Sequence, residues 1–215
     1  MIKAEAANLI YEDHGREVFA CRDIDLEVGE NEFVGILGPS GSGKSSLLYL
    51  LSGLKNPTSG SVSFEGKRYT SLSDVSRSNL RIRTFGFVFQ QPFLLGYLTA
   101  FENVLLIDPN AANARQRAMD LLESVGLSDK AHRMPAELSG GEKQRICVAR
   151  ALFAQPRAVF ADEPTASLDH ASGEAVIRLL QQRRGGSLLV VTHDPSMLTG
   201  ADRVLHMEDG ALVQR

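Results

Sequence analysis

Gly38-Pro39-Ser40-Gly41-Ser42-Gly43-Lys44-Ser45 carries the spacing G-x-x-x-x-G-K-[ST] of a phosphate-binding P-loop, set between an apolar run and a helical one. Glycines let such a loop turn tightly and point successive backbone N–H groups at phosphate oxygens. The helix that follows aims its positive end at the same place. Lys44 then reaches the outer phosphates, and the Ser45 hydroxyl suits Mg2+. Two carboxylates, Asp162 and Glu163, close another apolar run. Beside a P-loop, Asp162 can hold a metal ion directly or through water, while Glu163 points elsewhere and can polarise a water. Gln90 and His193 each lie at the end of an apolar run, at the strand edge where α/β sheets meet their ligands. Ser139-Gly140-Gly141 opens a helix and forms a second anion-binding start. One phosphate chain hardly needs two helix starts from one small domain, so the spare start points to a site completed by a second subunit.

These groups must be held by strands and helices, and the pattern supplies them. Positions 7–11, 18–21 and 24–28 read as antiparallel strands around a polar turn at Asp13-His14-Gly15-Arg16. Tyr11 stands there either as an ordinary strand aromatic or as a ring for stacking on a base. Phe33–Leu37, 85–89, 158–163 and Ser187–Val191 are apolar runs of the kind that form strands covered on both faces. Helical spacing runs over 45–54, over 99–126 with a break at Asp108-Pro109-Asn110, from Ser139 to about Ala154, and over 172–183. Thr99 with Glu102, and Ser139 with Glu142, fit capping boxes. The stretch 69–84 is polar and rich in Ser and Arg, and 204–207 with Ala211–Val213 read as a hairpin turning at Asp209-Gly210.

The 215 residues suit one large domain or a core with a subdomain, with an ordinary 43% hydrophobic and 23% charged residues. A net charge of −3 offers no general attraction to nucleic acid, and Arg77, Arg81 and Arg83 read as solvated surface. No apolar run approaches the roughly 20 residues that cross a bilayer, so no direct membrane insertion is expected. The start of the chain lacks the apolar core of a signal peptide. Cys21 and Cys147 have no metal-ligand spacing and read as buried thiols.

In this order, a P-loop, a strand ending in Gln, Leu-Ser-Gly-Gly-Glu, a strand ending in Asp-Glu and a strand ending in His resemble the nucleotide-binding subunit of an ATP-binding cassette (ABC) transporter, over essentially the whole chain. The text Gly86-Phe87-Val88-Phe89-Gln90-Gln91, Leu98-Thr99-Ala100-Phe101-Glu102-Asn103-Val104 and Ala161-Asp162-Glu163-Pro164-Thr165 is similar to the lipoprotein-release, macrolide-export and cell-division group (the LolD, MacB and FtsE types). The resemblance implies an α/β P-loop NTPase with a mainly parallel core sheet, an N-terminal antiparallel β-subdomain and an inserted α-helical signature subdomain. The core and β-subdomain would take 1–90 and 156–215, and the helical subdomain 91–155.

It further implies that ATP is bound by Gly38, Pro39, Ser40, Gly41, Ser42, Gly43, Lys44, Ser45 and Ser46, with Tyr11 stacked on adenine and Gln90, Ser139, Gly140, Gly141 and Asp169 completing the site. Mg2+ would be held by Ser45, Gln90 and Asp162, and catalysis carried by Glu163, His193 and Lys44. The implied partners are a second copy of the chain and an integral membrane permease, with no nucleic acid, at the cytoplasmic face of the inner membrane. The alternative within the resemblance is a soluble or cell-division-type ATPase that drives conformational change without transporting a solute. The segment between Leu106 and Ala114, and Gly96-Tyr97, depart from the group's pattern in the helical region expected to face a membrane partner.

Overall fold

Apolar and charged residues alternate near the start of the chain and form two long antiparallel strands, β1 (Ile2–Asp13) and β2 (Arg16–Val28). Where two separate strands are expected over 18–21 and 24–28, β2 runs through. Leu9 faces Cys21 and Ala7 faces Ile24, so the register slips at Arg22-Asp23. The slip is held by Asn8, whose Nδ2 donates to Asp23 Oδ1 (3.1 Å) and Ala6 O (3.0 Å) and whose Oδ1 accepts from Asp23 N (2.9 Å).

The computed structural model describes residues 1–182 and 185–213. The chain divides into two compact units, Met1–Arg81 with Leu189–Arg215, and Ile82–Leu188.

In the first unit, β1 and β2 are joined by β4 (Ser59–Phe64) and β5 (Lys67–Arg68) in an antiparallel sheet of order β2-β1-β4-β5. Strand β3 (Phe33–Leu37), buried except at its last residue, pairs in parallel with β9 (Arg203–Glu208), which turns antiparallel into β10 (Ala211–Val213) as the hairpin pattern predicts. Helix α1 (Lys44–Leu51) buries Leu47, Leu48, Leu50 and Leu51 completely. Tyr69, also fully buried, donates its hydroxyl to Leu51 O at 2.9 Å.

The polar stretch rich in Ser and Arg contains a helix, α2 (Asp74–Thr84), none of whose residues is buried. Arg77 donates to Asn56 Oδ1 at 2.6 Å and Arg81 to Gly53 O at 2.9 Å, so two of the three surface arginines anchor this segment.

The second unit pairs β6 (Phe85–Val88) in parallel with β7 (Ala158–Asp162), whose five residues are all buried. Phe160 sits edge-on to Phe85 (5.2 Å) and stacked on Phe87 (5.7 Å). Around α5 (Gly140–Phe153) pack α3 (Ala100–Leu105) and α4 (Ala114–Ser124), through Phe101, Val104, Ala118, Leu122, Ile146 and Phe153. The predicted break lies between α3 and α4. Helix α6 (His170–Gln181) starts two residues earlier than expected, and its expected end at Arg183 lies outside the described residues. Strand β8 (Ser187–Val191), buried throughout, leads from this unit into the first. Cys21 and Cys147 are buried, which pushes their thiols up to about 12 and about 11.

Candidate functional site

The first unit carries residues 38–46, Tyr11 and His193. Gly43 adopts φ +100° as the N-cap of α1, and Gly41 adopts φ +79°. Both are left-handed conformations that L side chains avoid, and they turn the loop back over the helix start. The loop is braced from behind. Gly210 N, in the β9–β10 turn, donates to Ser42 O at 3.0 Å, and a Cβ on Gly38 would fall 2.2 Å from Met207 O. At Gly41, by contrast, a Cβ would meet nothing within 4 Å, so this face of the loop is open.

Lys44 is 8% exposed and donates its Nζ to Pro39 O at 2.7 Å, folding the cation across its own loop. Ser42 Oγ is buried and finds no hydrogen-bond partner among the described residues. A turned, N–H-rich loop with an enclosed cation and an unsatisfied hydroxyl fits a polyanionic ligand. Tyr11 is half-buried, with the Lys55 ammonium 5.7 Å from its ring centre. His193 follows β8 and is exposed, while the preceding Thr192 is held by its N–H to Ile36 O at 3.2 Å.

The second unit carries Gln90, Ser139, Gly140, Gly141, Asp162, Glu163 and Asp169. Both expected capping boxes are present. Ser139 Oγ accepts from Glu142 N (3.2 Å) while Glu142 Oε2 accepts from Ser139 N (2.8 Å), and Thr99 and Glu102 repeat the pattern at α3. Gly140 is open on its Cβ side, and Gly141 lies against Leu168, where a Cβ would sit 3.0 Å from Cδ2. Thus the helix start and the Ser167-Leu168-Asp169 loop are neighbours. Asp169 itself caps α6, accepting from Ser172 N (3.0 Å) and Ser172 Oγ (2.6 Å), which holds its carboxyl below the usual range.

The Lys130 ion pair and the Ser139 N–H together hold the Glu142 carboxyl down to about 2 from an ordinary 4.5. A group depressed on folding stabilises the fold above its ordinary value, and that contribution is lost as pH falls through the folded value. Glu142→Gln keeps a capping side chain but loses the ion pair. Its melting temperature is expected to lie below wild type at neutral pH, with the gap narrowing steadily between pH 4.5 and about 2. Thermal unfolding across a pH series checks this, and a gap that ignores pH would deny Glu142 the role.

Asp162 ends β7 and is 5% exposed. Glu163 then turns the chain at φ +46°, a left-handed value rare outside glycine, and is half-buried. Gln90 is exposed, two residues beyond β6. The loop after it is shaped by a residue to which the sequence reading assigned no role. Asn103, fully buried on α3, accepts from Leu95 N (2.9 Å) and donates to the carbonyls of Leu98 (3.0 Å), Thr99 (3.0 Å) and Leu95 (3.2 Å). A buried amide this fully used fixes a loop that has no regular structure of its own. Its only signal in sequence is a polar residue on the apolar face of a short helix.

The family model described as "ABC transporter" matches residues 21–166. An uncharacterised ABC transporter ATP-binding protein of Methanocaldococcus jannaschii is 41% identical over 100% of this chain and 98% of its own. The lipoprotein-releasing system ATP-binding protein LolD of Xanthomonas campestris pv. campestris is 44% identical over 99% of this chain and 92% of its own. Among solved structures, a dimeric post-hydrolysis state of the ATP-binding cassette MJ0796, bound to ADP and phosphate, superposes with a TM-score of 0.93. It is 35% identical and covers 100% of this chain and 97% of its own. With a phosphate loop, a capped Ser-Gly-Gly helix start and a strand that ends at Asp162 and is followed by Glu163, the chain belongs to the ABC transporter family.

Proposed function

We propose that this chain binds and hydrolyses ATP in a head-to-tail pair of copies and powers a separate membrane-spanning subunit of the lipoprotein-release or export type. The observation that carries the reading is the α5 start. Ser139 and Gly140 present an anion-binding helix end, open on the Gly140 Cβ side, in a unit that has no phosphate loop of its own. A second copy supplies what it lacks. Each ATP is then held between residues 38–46 of one copy and Ser139-Gly140-Gly141 of the other, which completes the cage of donors around the γ-phosphate. The dimeric ADP- and phosphate-bound cassette supports a pair of copies acting on nucleotide, and the LolD relatives support a partner of the lipoprotein-release type.

In this mechanism Lys44 exchanges the Pro39 carbonyl for the outer phosphates, and Tyr11 stacks on the adenine. Mg2+ shields phosphate charge when bound, and Ser45, Asp162 and Gln90 offer it a hydroxyl, a carboxylate and an amide oxygen, hard donors that suit the ion. Glu163 accepts a proton from the attacking water, and His193 steadies that water and the γ-phosphate. Closing on ATP and reopening after hydrolysis is the two-state element that moves the partner. Among the described residues no helix is long and apolar enough to cross a membrane, and in this reading the membrane-spanning path belongs to the partner subunit. Exposed Phe93 and Tyr97, in the loop after Gln90, offer that protein an apolar foothold at the cytoplasmic face of the inner membrane.

The test is a pull-down of tagged Glu163→Gln protein with ATP from detergent-solubilised membranes of its own cell. An integral membrane protein in stoichiometric amount is expected. Recovery of soluble proteins alone would overturn the transporter reading and leave an ATPase that works on something else.

A further inference from the structure

We infer that Gln144 is a positioning residue for Gln90, tying the loop that bears Gln90 to the helix that begins at Ser139. The inference rests on the role proposed above for Gln90. Gln144 lies in the second turn of α5 and is 1% exposed. Its Nε2 donates to the carbonyl of Phe89 at 2.9 Å. That carbonyl belongs to the peptide joining Phe89 to Gln90, so the bond sets the plane from which the Gln90 side chain departs. The other end of the amide, Oε1, is buried with no hydrogen-bond partner among the described residues.

A buried acceptor left unsatisfied is costly, and an apolar side chain of the same length would fill the space without it. Packing therefore does not account for an amide here, whereas its donor does. A second tether lies six residues on, about 9 Å along the helix. Arg150 Nη1 donates to Phe93 O at 2.6 Å, so the segment 89–93 is pinned to α5 at both ends. Phe89 is locked between them, stacked on Phe87 (5.8 Å) and edge-on to Phe93 (5.6 Å). Gln90 thus sits on a short span whose ends move only with α5. A push on this loop from a docked partner reaches Ser139-Gly140-Gly141 through one rigid piece rather than through a slack connection.

Gln144→Met removes the donor and the unsatisfied acceptor together while keeping the volume, so the melting temperature is expected to hold. Hydrogen–deuterium exchange is expected to rise severalfold in peptides covering 88–95 and to stay unchanged in those covering the rest of α5. The kcat for ATP should fall about tenfold with KM within about twofold, as for a group displaced without loss of substrate contacts. In a Gln90→Ala background, adding Gln144→Met should change kcat less than about twofold, because the route it acts through is already gone. Gln144→Leu, which also lacks the donor, should repeat the pattern if the Met variant folds poorly. Unchanged exchange at 88–95, or a full kcat loss on top of Gln90→Ala, would overturn the inference. If Gln90→Ala alone leaves kcat untouched, the role given to Gln90 fails instead, and the exchange result still decides whether the tether exists.

Discussion

Glu163→Gln is expected to lower ATP turnover by about 10²–10⁴-fold, the range a positioned general base supplies, while ATP affinity stays within a few-fold of wild type. Asp162, the last residue of β7, is buried, whereas Glu163 lies beyond the strand end and is half-buried, so the two carboxylates stand in different surroundings. Glu163 also leaves the strand at φ +46°, a conformation that costs a non-glycine residue on the order of 1 kcal/mol or more. In the proposed mechanism the fold bears that cost at the carboxylate that accepts the proton. Gln matches Glu in size and keeps the backbone strain, but it cannot take the proton. Glu163→Gly separates the two effects, since it relaxes the backbone and removes the carboxylate. Equal loss of turnover in both variants assigns the effect to the acid, whereas a larger loss in the glycine variant would give the strained backbone a share. Phosphate release and equilibrium ATP binding measure each term, and turnover within threefold of wild type in Glu163→Gln would sink the assignment.

What could be read from the chain was what short stretches decide for themselves. Capping boxes at Thr99 and Ser139 need only four consecutive residues, and both formed as written. Strands β7 and β8 are apolar at nearly every position because every position is buried, which leaves a signature independent of context. Helix α2 gave no such signature. None of its residues is buried, so no apolar face marks it, and it is held instead by arginine contacts to Asn56 and Gly53 more than twenty residues away. The register slip in β1–β2 depends on Asn8 meeting Asp23 across the sheet. Asn103 and Gln144 matter through carbonyls that only the folded chain brings to them. Asp169 shows the opposite limit. Its local pattern is a helix cap, satisfied within four residues, and the family resemblance by itself carries no sign of that cap.

Gly43→Ala is expected to abolish ATP binding and to destabilise the chain by about 2–5 kcal/mol, the sum of backbone strain and a forced clash. The added methyl would sit 2.1 Å from the carbonyl oxygen of Ala20 and 2.9 Å from Met207 Cε. Met207 can swing its thioether aside, but Ala20 is backbone of β2 and cannot move without disturbing the sheet. The φ of +100° makes matters worse, because relieving the clash by rotation would undo the turn that starts α1 and aims its N–H groups. Gly41 provides the control. It too has a positive φ, +79°, but open space where its Cβ would go, so Gly41→Ala should cost only the strain of about 1 kcal/mol. For a chain of this length the two losses correspond to drops in melting temperature of roughly 4–20 °C and 2–4 °C. Thermal unfolding without nucleotide separates them, and titration with ATP shows whether binding follows. Equal melting points for the two variants would mean that the loop yields at Ala20, and that the close approach of β2 is not what shapes the phosphate site.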